Sequence, residues 1–210
     1  MNVELHLIRH GHDPDGYRGG WSMRGLDALG YRQAHLLAQR LRRERFRADT
    51  LLCSDLPGAV QTGEVLAQAL GLPLLPRPAW REVNNGVLAG MANTEAERRY
   101  PGLYWRTLEA NQPYPGGESP AQFHRRVVVA FDELCRTVER REAGPRVVVV
   151  THGGVIEVIA ALLHNVEWSN KQRRFPTGDT SLHSFARRDG VWSALRLNDM
   201  RHLAPERAIP

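Results

Sequence analysis

Apolar residues follow two patterns along the chain: short continuous runs, and longer segments in which they recur at helical spacing. The short runs predict buried strands at 3–8, 48–53, 72–75 and 147–150. The longer segments predict helices at 27–45, 57–70, 94–100, 120–141 and 155–163. Two further runs, 180–186 and 191–197, predict a hairpin that turns at Arg188-Asp189-Gly190. Asp27 and Ser119 are expected to be N-caps of the helices that follow them.

The alternation of strands with helices predicts an α/β fold, a three-layer α/β/α sandwich with a mainly parallel central sheet. The closing hairpin is expected to add antiparallel strands at one edge. We find no repeat or interdomain linker in the 210 residues, so we expect a single domain over 1–210. Residues 101–117 are rich in proline, glycine and aromatic residues. Because long loops often build substrate pockets, we expect 84–118 to form an excursion over the active-site face.

The net charge of +5 is carried almost entirely by arginine, since Lys171 is the only lysine. The arginines are scattered, and their densest cluster, 40–47, falls at a predicted helix end, where positive charge complements the helix dipole. This distribution does not suggest a nucleic-acid partner. A small phosphorylated substrate suits the charge better.

The number of cysteines and the lack of long apolar runs are typical of a cytoplasmic protein. Cys53 and Cys135 are too few for a disulfide framework, and Cys53 lies in an apolar run that suits an inert core thiol. The first predicted strand begins at residue 3, with no charged leader before an apolar segment. No run approaches the roughly 18 apolar residues of a membrane span. These features predict a cytoplasmic protein without a membrane partner.

Two of the predicted strands end in a histidine followed by glycine. Arg9-His10-Gly11 follows the first strand, and His152-Gly153 follows the four valines of 147–150. Ligands bind at the carboxyl ends of strands in open α/β sheets, so both imidazoles are expected in one pocket. Two histidines beside an arginine suit phosphoryl transfer, in which a neutral imidazole attacks phosphorus and positive groups stabilise the oxygens. A carboxylic acid is then needed to protonate the leaving oxygen.

Six segments, in the same order along the whole chain, resemble the motifs of the histidine phosphatase superfamily, the phosphoglycerate-mutase-like family. They are Leu7-Ile8-Arg9-His10-Gly11, the segment 26–34, the segment 53–62, Arg81-Glu82 with Gly86 and Gly90, Gly116-Gly117-Glu118-Ser119, and Thr151-His152-Gly153-Gly154. Asn198-Asp199 with His202-Leu203 resembles the usual ending. An isolated Arg-His-Gly triplet is a weak signal, whereas six ordered motifs are a specific one.

The resemblance implies a role for each matching residue. His10 is expected to be the phosphorylated nucleophile, and Arg9 a clamp on the phosphate. Glu82 is expected to be the proton donor, and His152 to stabilise the phosphoryl group in transfer. The family uses neither a metal ion nor an organic cofactor, so none is expected here. Dimers occur in the superfamily, which makes a homodimer possible.

Further residues are candidates for binding the substrate. Gly11 and Gly153 are expected to approach the phosphate through their backbone, Gly153 at a helix N-terminus. Arg98 and Arg99 resemble paired arginines that some members use for a carboxylate or second phosphate of the substrate.

The chain departs from the family pattern at Gly58, where members normally carry a second arginine clamp. Losing such a donor typically costs 10²–10³ in rate. Arg18 and Arg24, in the first loop, are the candidates to replace the missing guanidinium.

The leading hypothesis is a phosphomonoester hydrolase that acts on a small phosphorylated metabolite through a phosphohistidine. A phosphoglycerate-type mutase is an alternative with the same chemistry, and Gly58 motivates a second alternative, a phosphate-binding pseudoenzyme without turnover. A third is a metallohydrolase, because His10, His12, Asp13 and His152 are metal-ligand types. The sequence does not identify the leaving group.

Overall fold

The computed structural model describes residues 3–139 and 144–204. Within these ranges, six strands form one mixed sheet and five α-helices accompany it. The strands are β1 (Val3–Arg9), β2 (Thr50–Cys53), β3 (Leu74–Pro76), β4 (Arg146–Thr151), β5 (Leu182–Arg188) and β6 (Val191–Asp199). The helices are α1 (Ala28–Arg43), α2 (Pro57–Leu70), α3 (Asn93–Arg99), α4 (Pro120–Glu139) and α5 (Gly153–Leu163).

The strand order in the sheet is β3-β2-β4-β1-β5-β6. The first four strands in this order run parallel, and β5 and β6 are antiparallel additions at one edge. The predicted fold class, a mainly parallel α/β sandwich with antiparallel edge strands, is therefore confirmed. β1 lies beside β4 with Arg9 opposite Thr151, so the residues that follow these two strands emerge side by side.

Each face of the sheet is covered by a pair of helices. On one side, Leu37 and Leu41 of α1 and Leu66 of α2 pack against Ile8 and Val148 of the sheet. On the other side, residues of α4 and α5 pack against alternate residues of the same strands. β1 and β4 are thus buried on both faces, which accounts for the continuous valine run of β4.

Helix starts agree with the predicted caps. Asp27 adopts an extended conformation and its side chain accepts the Gly30 N–H at 2.8 Å, which makes it the N-cap of α1. Ser119 accepts the Gln122 N–H at 3.2 Å at the start of α4. The end of the predicted helix at 140–141 lies outside the described residues.

The closing hairpin is longer than predicted. Arg188 belongs to β5, and the turn is made by Asp189 and Gly190, whose φ angles are both positive. This is the backbone that a two-residue hairpin turn requires, and glycine adopts it without strain. No helix in the described ranges is long and apolar enough to cross a membrane.

Candidate active site

The two histidines that follow β1 and β4 lie together. The imidazole rings of His10 and His152 are 5.0 Å apart between centroids, in an edge-on arrangement. The pairing of β1 with β4 continues one residue beyond the strands, because the His10 N–H donates to the Thr151 carbonyl at 2.9 Å. The parallel register of β1 and β4 thus brings both rings to one edge of the sheet, as the sequence predicts.

The His10 ring has a defined tautomer. Its Nδ1 lies 2.7 Å from the Gly11 carbonyl oxygen, which only accepts hydrogen bonds, so Nδ1 carries the proton. The neutral ring therefore has its lone pair on Nε2. Burial lowers the pKa of His10 below its usual value, and the neighbouring Arg9 guanidinium lowers it further. Both effects favour the neutral, nucleophilic imidazole.

His152 is buried beside the end of β2. Its Nε2 lies 2.8 Å from the Ser54 hydroxyl oxygen, which also accepts the Leu56 N–H. Burial holds the pKa of His152 well below its usual value, and the neighbouring His10 adds to this effect. A dianionic phosphoryl group next to the ring would raise that pKa, since an adjacent negative charge favours the imidazolium.

Two arginines approach the same place from different directions. Arg9 at the end of β1 donates to the Thr177 carbonyl at 2.8 Å and pairs with Asp179 at 3.1 Å. Arg173, in the connection between α5 and β5, has neither a hydrogen bond nor an ion pair with any residue that the structure describes. A Cβ atom on Gly153 would contact both side chains, at 3.9 Å from Arg9 and 3.7 Å from Arg173. Both side chains therefore flank the start of α5.

Glu82 is held against the N-terminus of α5. Its carboxylate accepts the Gly154 N–H at 2.9 Å and the Val83 N–H at 3.1 Å. A Cβ atom on residue 154 would overlap the Glu82 carboxylate, so only glycine permits this approach. The second glycine of the His152-Gly153-Gly154 motif is thus explained by the position of the acid.

The backbone around Glu82 is fixed by Arg126 of α4. The Arg126 guanidinium donates to the carbonyl oxygens of Ala79, Arg81 and Glu82, at 3.0–3.1 Å. It also forms a two-point ion pair with Glu118, at 2.7 and 3.0 Å. Arg126 is not predictable from the sequence, because no local pattern distinguishes it from other arginines on the polar side of α4.

Trp21 makes a second contact to the same acid segment. Its indole Nε1 donates to the Glu82 carbonyl at 2.7 Å, so this oxygen accepts from both Trp21 and Arg126. The Arg81 guanidinium stacks on the Trp21 ring at 4.6 Å and forms a two-point ion pair with Asp55, both bonds at 2.6 Å. The catalytic candidate therefore sits on an irregular segment that is held from several sides.

These side chains surround a cavity of about 150 Å³. Seven charged or imidazole-bearing residues line it: Arg9, His10, Asp13, Arg24, Glu82, His152 and Arg173. A second cavity of about 580 Å³ adjoins the first and shares Gly19, Gly20, Glu82 and Arg173 with it. The arrangement offers a nucleophile, a carboxyl group and guanidinium groups around a space that accommodates a phosphate.

The predicted arginines fall in different places. Arg24 lines the first cavity, with its guanidinium stacked on Tyr17 at 3.3 Å. Arg18 lines the second cavity instead. Arg98 and Arg99 do not reach either cavity; they lie on α3 and pair with Glu95, at 2.8 and 3.8 Å. The assignment of Arg98 and Arg99 to substrate binding is therefore not supported, because α3 presents them to solvent.

Of the two glycines predicted to contact the phosphate through their backbone, only Gly153 lines the first cavity. Gly153 lines the first cavity at the start of α5. The Gly11 N–H instead donates to the Thr62 hydroxyl at 3.0 Å, so it is not available to a phosphate. A Cβ atom on residue 11 would come within 2.6 Å of the Gly30 carbonyl oxygen. Gly11 is therefore required for the close approach of the segment after β1 to Gly30 of α1.

Gly58 lies in the first turn of α2 and lines the first cavity beside His10. The position from which family members would extend a second arginine is thus directly at the site. Arg173 is a second guanidinium at the site that the sequence did not predict, since nothing in Gln172-Arg173-Arg174 marks it as functional. Its position depends on the path of a loop that the sequence does not predict.

The proposed metal ligands do not form a metal site: His10, Asp13 and His152 line the first cavity, whereas His12 is directed to Asp27. His12 bonds to Asp27 at 2.8 Å through Nδ1, and this carboxylate raises its pKa despite the opposing effect of partial burial. No group of three or more His, Cys, Asp or Glu side chains within 3–139 and 144–204 is placed to hold a metal ion.

Comparisons with known proteins agree with the fold. A probable phosphoglycerate mutase GpmB of Yersinia enterocolitica is 29% identical over 198 residues, which cover 91% of this chain and 88% of that protein. A mycobacterial glucosyl-3-phosphoglycerate phosphatase with inorganic phosphate superposes with a TM-score of 0.77 at 26% identity, covering 96% of this chain and 100% of that one.

A putative alpha-ribazole-5'-P phosphatase of Escherichia coli shares the fold, with a TM-score of 0.82 at 22% identity over 94% of this chain and 97% of that one. The family model of the histidine phosphatase superfamily (branch 1) matches residues 5–200, which include both histidine motifs and the acid segment. The chain belongs to the histidine phosphatase superfamily.

Proposed function

We propose that the protein is a phosphomonoester hydrolase that forms a phosphohistidine on His10. The observation that carries this proposal is the His10 tautomer: Nδ1 donates to Gly11, which leaves the Nε2 lone pair on a ring that lines the cavity. A neutral imidazole with one nitrogen fixed by a backbone carbonyl is oriented for in-line attack on phosphorus.

In the first half-reaction, Nε2 of His10 attacks phosphorus, and the bond from phosphorus to the leaving oxygen breaks. Protonated Glu82 gives its proton to that oxygen, and the alcohol leaves. In the second half-reaction, ionised Glu82 takes a proton from water, whose oxygen attacks phosphorus. The nitrogen–phosphorus bond then breaks, which releases inorganic phosphate and restores neutral His10.

The charge on the phosphoryl oxygens is stabilised by Arg9, Arg173 and His152. Arg9 is held in place by Thr177 and Asp179, whereas Arg173 keeps its donors free for a ligand. Arg173 supplies the second guanidinium that Gly58 lacks. Its place in the cavity lining supports a working enzyme over the alternative of a binder without turnover.

The mutase alternative shares the first half-reaction and differs in the acceptor, which is a second hydroxyl of the substrate instead of water. It requires a bisphosphate to prime the enzyme, so a phosphorylated, primed state is its distinguishing property. We further propose a small phosphorylated metabolite as the substrate and the cytoplasm as the location. A homodimer, a single domain and the absence of a nucleic-acid partner stay predictions.

The test is turnover of a generic aryl phosphate by the purified protein, with and without a chelator, beside a His10→Ala variant. His35→Ala is the matched control, because His35 lies exposed on α1. We expect chelator-resistant turnover that disappears in His10→Ala and persists in His35→Ala. A ³²P label that remains on the denatured wild-type protein, and not on His10→Ala, identifies the intermediate.

Other outcomes would overturn the proposal. Activity that is lost on chelation would favour a metallohydrolase. Folded protein that binds phosphate compounds without turnover would establish the pseudoenzyme. Turnover that begins only after addition of a bisphosphate would establish the mutase.

A further inference from the structure

The second cavity differs from the first in size and charge. Its volume of about 580 Å³ exceeds what a three-carbon leaving group fills, and it shares Glu82 and Arg173 with the first cavity. Three arginines line it, Arg18, Arg106 and Arg173, against the single carboxylate of Glu82. The space that receives the leaving group is therefore positively charged.

Two of these guanidinium groups have unused donors. Arg18 has a buried Nε without a hydrogen-bond partner, and its nearest carboxylate, Glu97, lies 3.9 Å away. Its guanidinium stacks over the Tyr104 ring at 4.3 Å, which fixes the plane of the donors. Arg106 makes no hydrogen bond or ion pair with the residues that the structure describes. The buried Arg18 Nε is costly without a partner, so such a group usually serves a ligand. Arg106 is exposed, and its donors are available to a ligand that enters the cavity.

Tyr114 adds a hydroxyl donor to the same wall. The residue is only 6% exposed, lines the cavity, and its hydroxyl has no partner among the described residues. The ring is fixed by stacking on Trp105 at 6.2 Å between centroids. Phenol and guanidinium donors around one space are typical of a site that binds an oxyanion.

We infer that the second cavity binds an oxyanion on the leaving group, so that the substrate carries a carboxylate or second phosphate in addition to the phosphate that is cleaved. Arg18 and Arg106, with the Tyr114 hydroxyl, hold this second anion. The inference rests on the proposed function in one respect, that the first cavity holds the phosphate. The residues differ from Arg98 and Arg99, which the structure places outside both cavities.

The test measures binding, so that it does not depend on turnover. Calorimetric titration compares 4-carboxybenzylphosphonate with its carboxamide, which has the same shape without the second charge. We expect the carboxylate to bind at least tenfold more tightly. Arg18→Gln and Arg106→Gln should each reduce this ratio severalfold, and Arg188→Gln, which removes an exposed arginine at the distant hairpin, should not.

Each alternative result is informative. Equal affinity for the two phosphonates, in a protein that hydrolyses aryl phosphates, would overturn the second anion site and leave the proposed function intact. A strong preference for the carboxylate in a protein without turnover would support the site and contradict the hydrolase. A preference that Arg188→Gln reduces as much as Arg18→Gln would mean that net charge, and not the cavity, selects the anion.

Discussion

A Cβ atom on residue 58 would lie 3.2 Å from Nδ1 of His10. The same nitrogen donates to the Gly11 carbonyl at 2.7 Å, so the imidazole is confined between a backbone oxygen on one side and α2 on the other. Any side chain at residue 58 must therefore rise beside the nucleophile. Glycine leaves this flank open, and we propose that Arg173, from the loop after α5, supplies the guanidinium that other family members extend from α2.

The first prediction concerns this exchange of arginines. Arg173→Gln removes the free guanidinium and should lower kcat by 10²–10³, the usual loss for one transition-state donor. Introducing Gly58→Arg into that variant should raise its kcat at least tenfold, because it places a guanidinium at the same phosphate. Steady-state kinetics on an aryl phosphate measures both changes.

Arg174→Gln is the matched control for this series, because Arg174 is adjacent and does not line the cavity. It should retain wild-type kcat. If Arg173→Gln behaves like Arg174→Gln, the second clamp is not Arg173. Arg24 would then be the next candidate.

The second prediction concerns Arg126, a positioning residue for Glu82. Arg126→Met removes the donors to three carbonyls of the acid segment and leaves Glu118 without its ion-pair partner. We expect kcat to fall about 10- to 100-fold with a smaller change in KM, because misplacement of the acid affects chemistry more than binding.

Arg125→Met, an exposed neighbour on α4, is the control and should keep kcat unchanged. Because Arg126 also stabilises the fold, thermal unfolding must show that the variant is folded at the assay temperature. A folded Arg126→Met protein with normal kcat would contradict the positioning role.

The third prediction concerns the pH dependence of kcat/KM. The nucleophile works as the neutral imidazole, and the folded-state pKa of His10 is lowered by burial and by Arg9. Activity is therefore present above this pKa and lost as pH falls through it, so the midpoint of the acid limb of log kcat/KM, which reports the free enzyme, should lie below pH 6.5. A midpoint above 6.5, or a rate that still rises past pH 9, would contradict the assigned roles.

The fourth prediction concerns the pH dependence of stability. Burial lowers the pKa of His183 to about 4, and its Nδ1 accepts the Asn198 N–H at 3.4 Å as a neutral ring. The unfolded chain binds the proton near pH 6.5, so stability is fully present above that value and is lost as pH falls toward 4. The loss is at most about 3 kcal/mol for this residue.

Urea unfolding at pH 7 and pH 5 tests this expectation, with His183→Gln as the comparison. The variant should lose less stability between the two pH values than the wild type does. An identical loss in both proteins would mean that other groups, such as the buried His6 and His202, account for the acid sensitivity.

Helices and strands were predictable from the sequence where local chemistry determines their type and their first residues. Asp27 caps α1 because a short side-chain oxygen before a helical segment bonds to its first N–H groups. The apolar run of β4 suits a strand that is buried on both faces. Element ends were less accurate: β2 begins at Thr50 and not at residue 48, since strand ends depend on which neighbours are available for pairing.

The sequence by itself determined that His10 and His152 share one site, because each follows a parallel strand and such strands end at the same edge. Only the tertiary structure decided which arginines join them. Glu157 of α5 accepts the Arg174 N–H at 2.6 Å and the Phe175 N–H at 3.1 Å, which directs the loop so that Arg173 enters the cavity. Such loop paths follow from contacts between distant segments, which no local pattern in a sequence encodes.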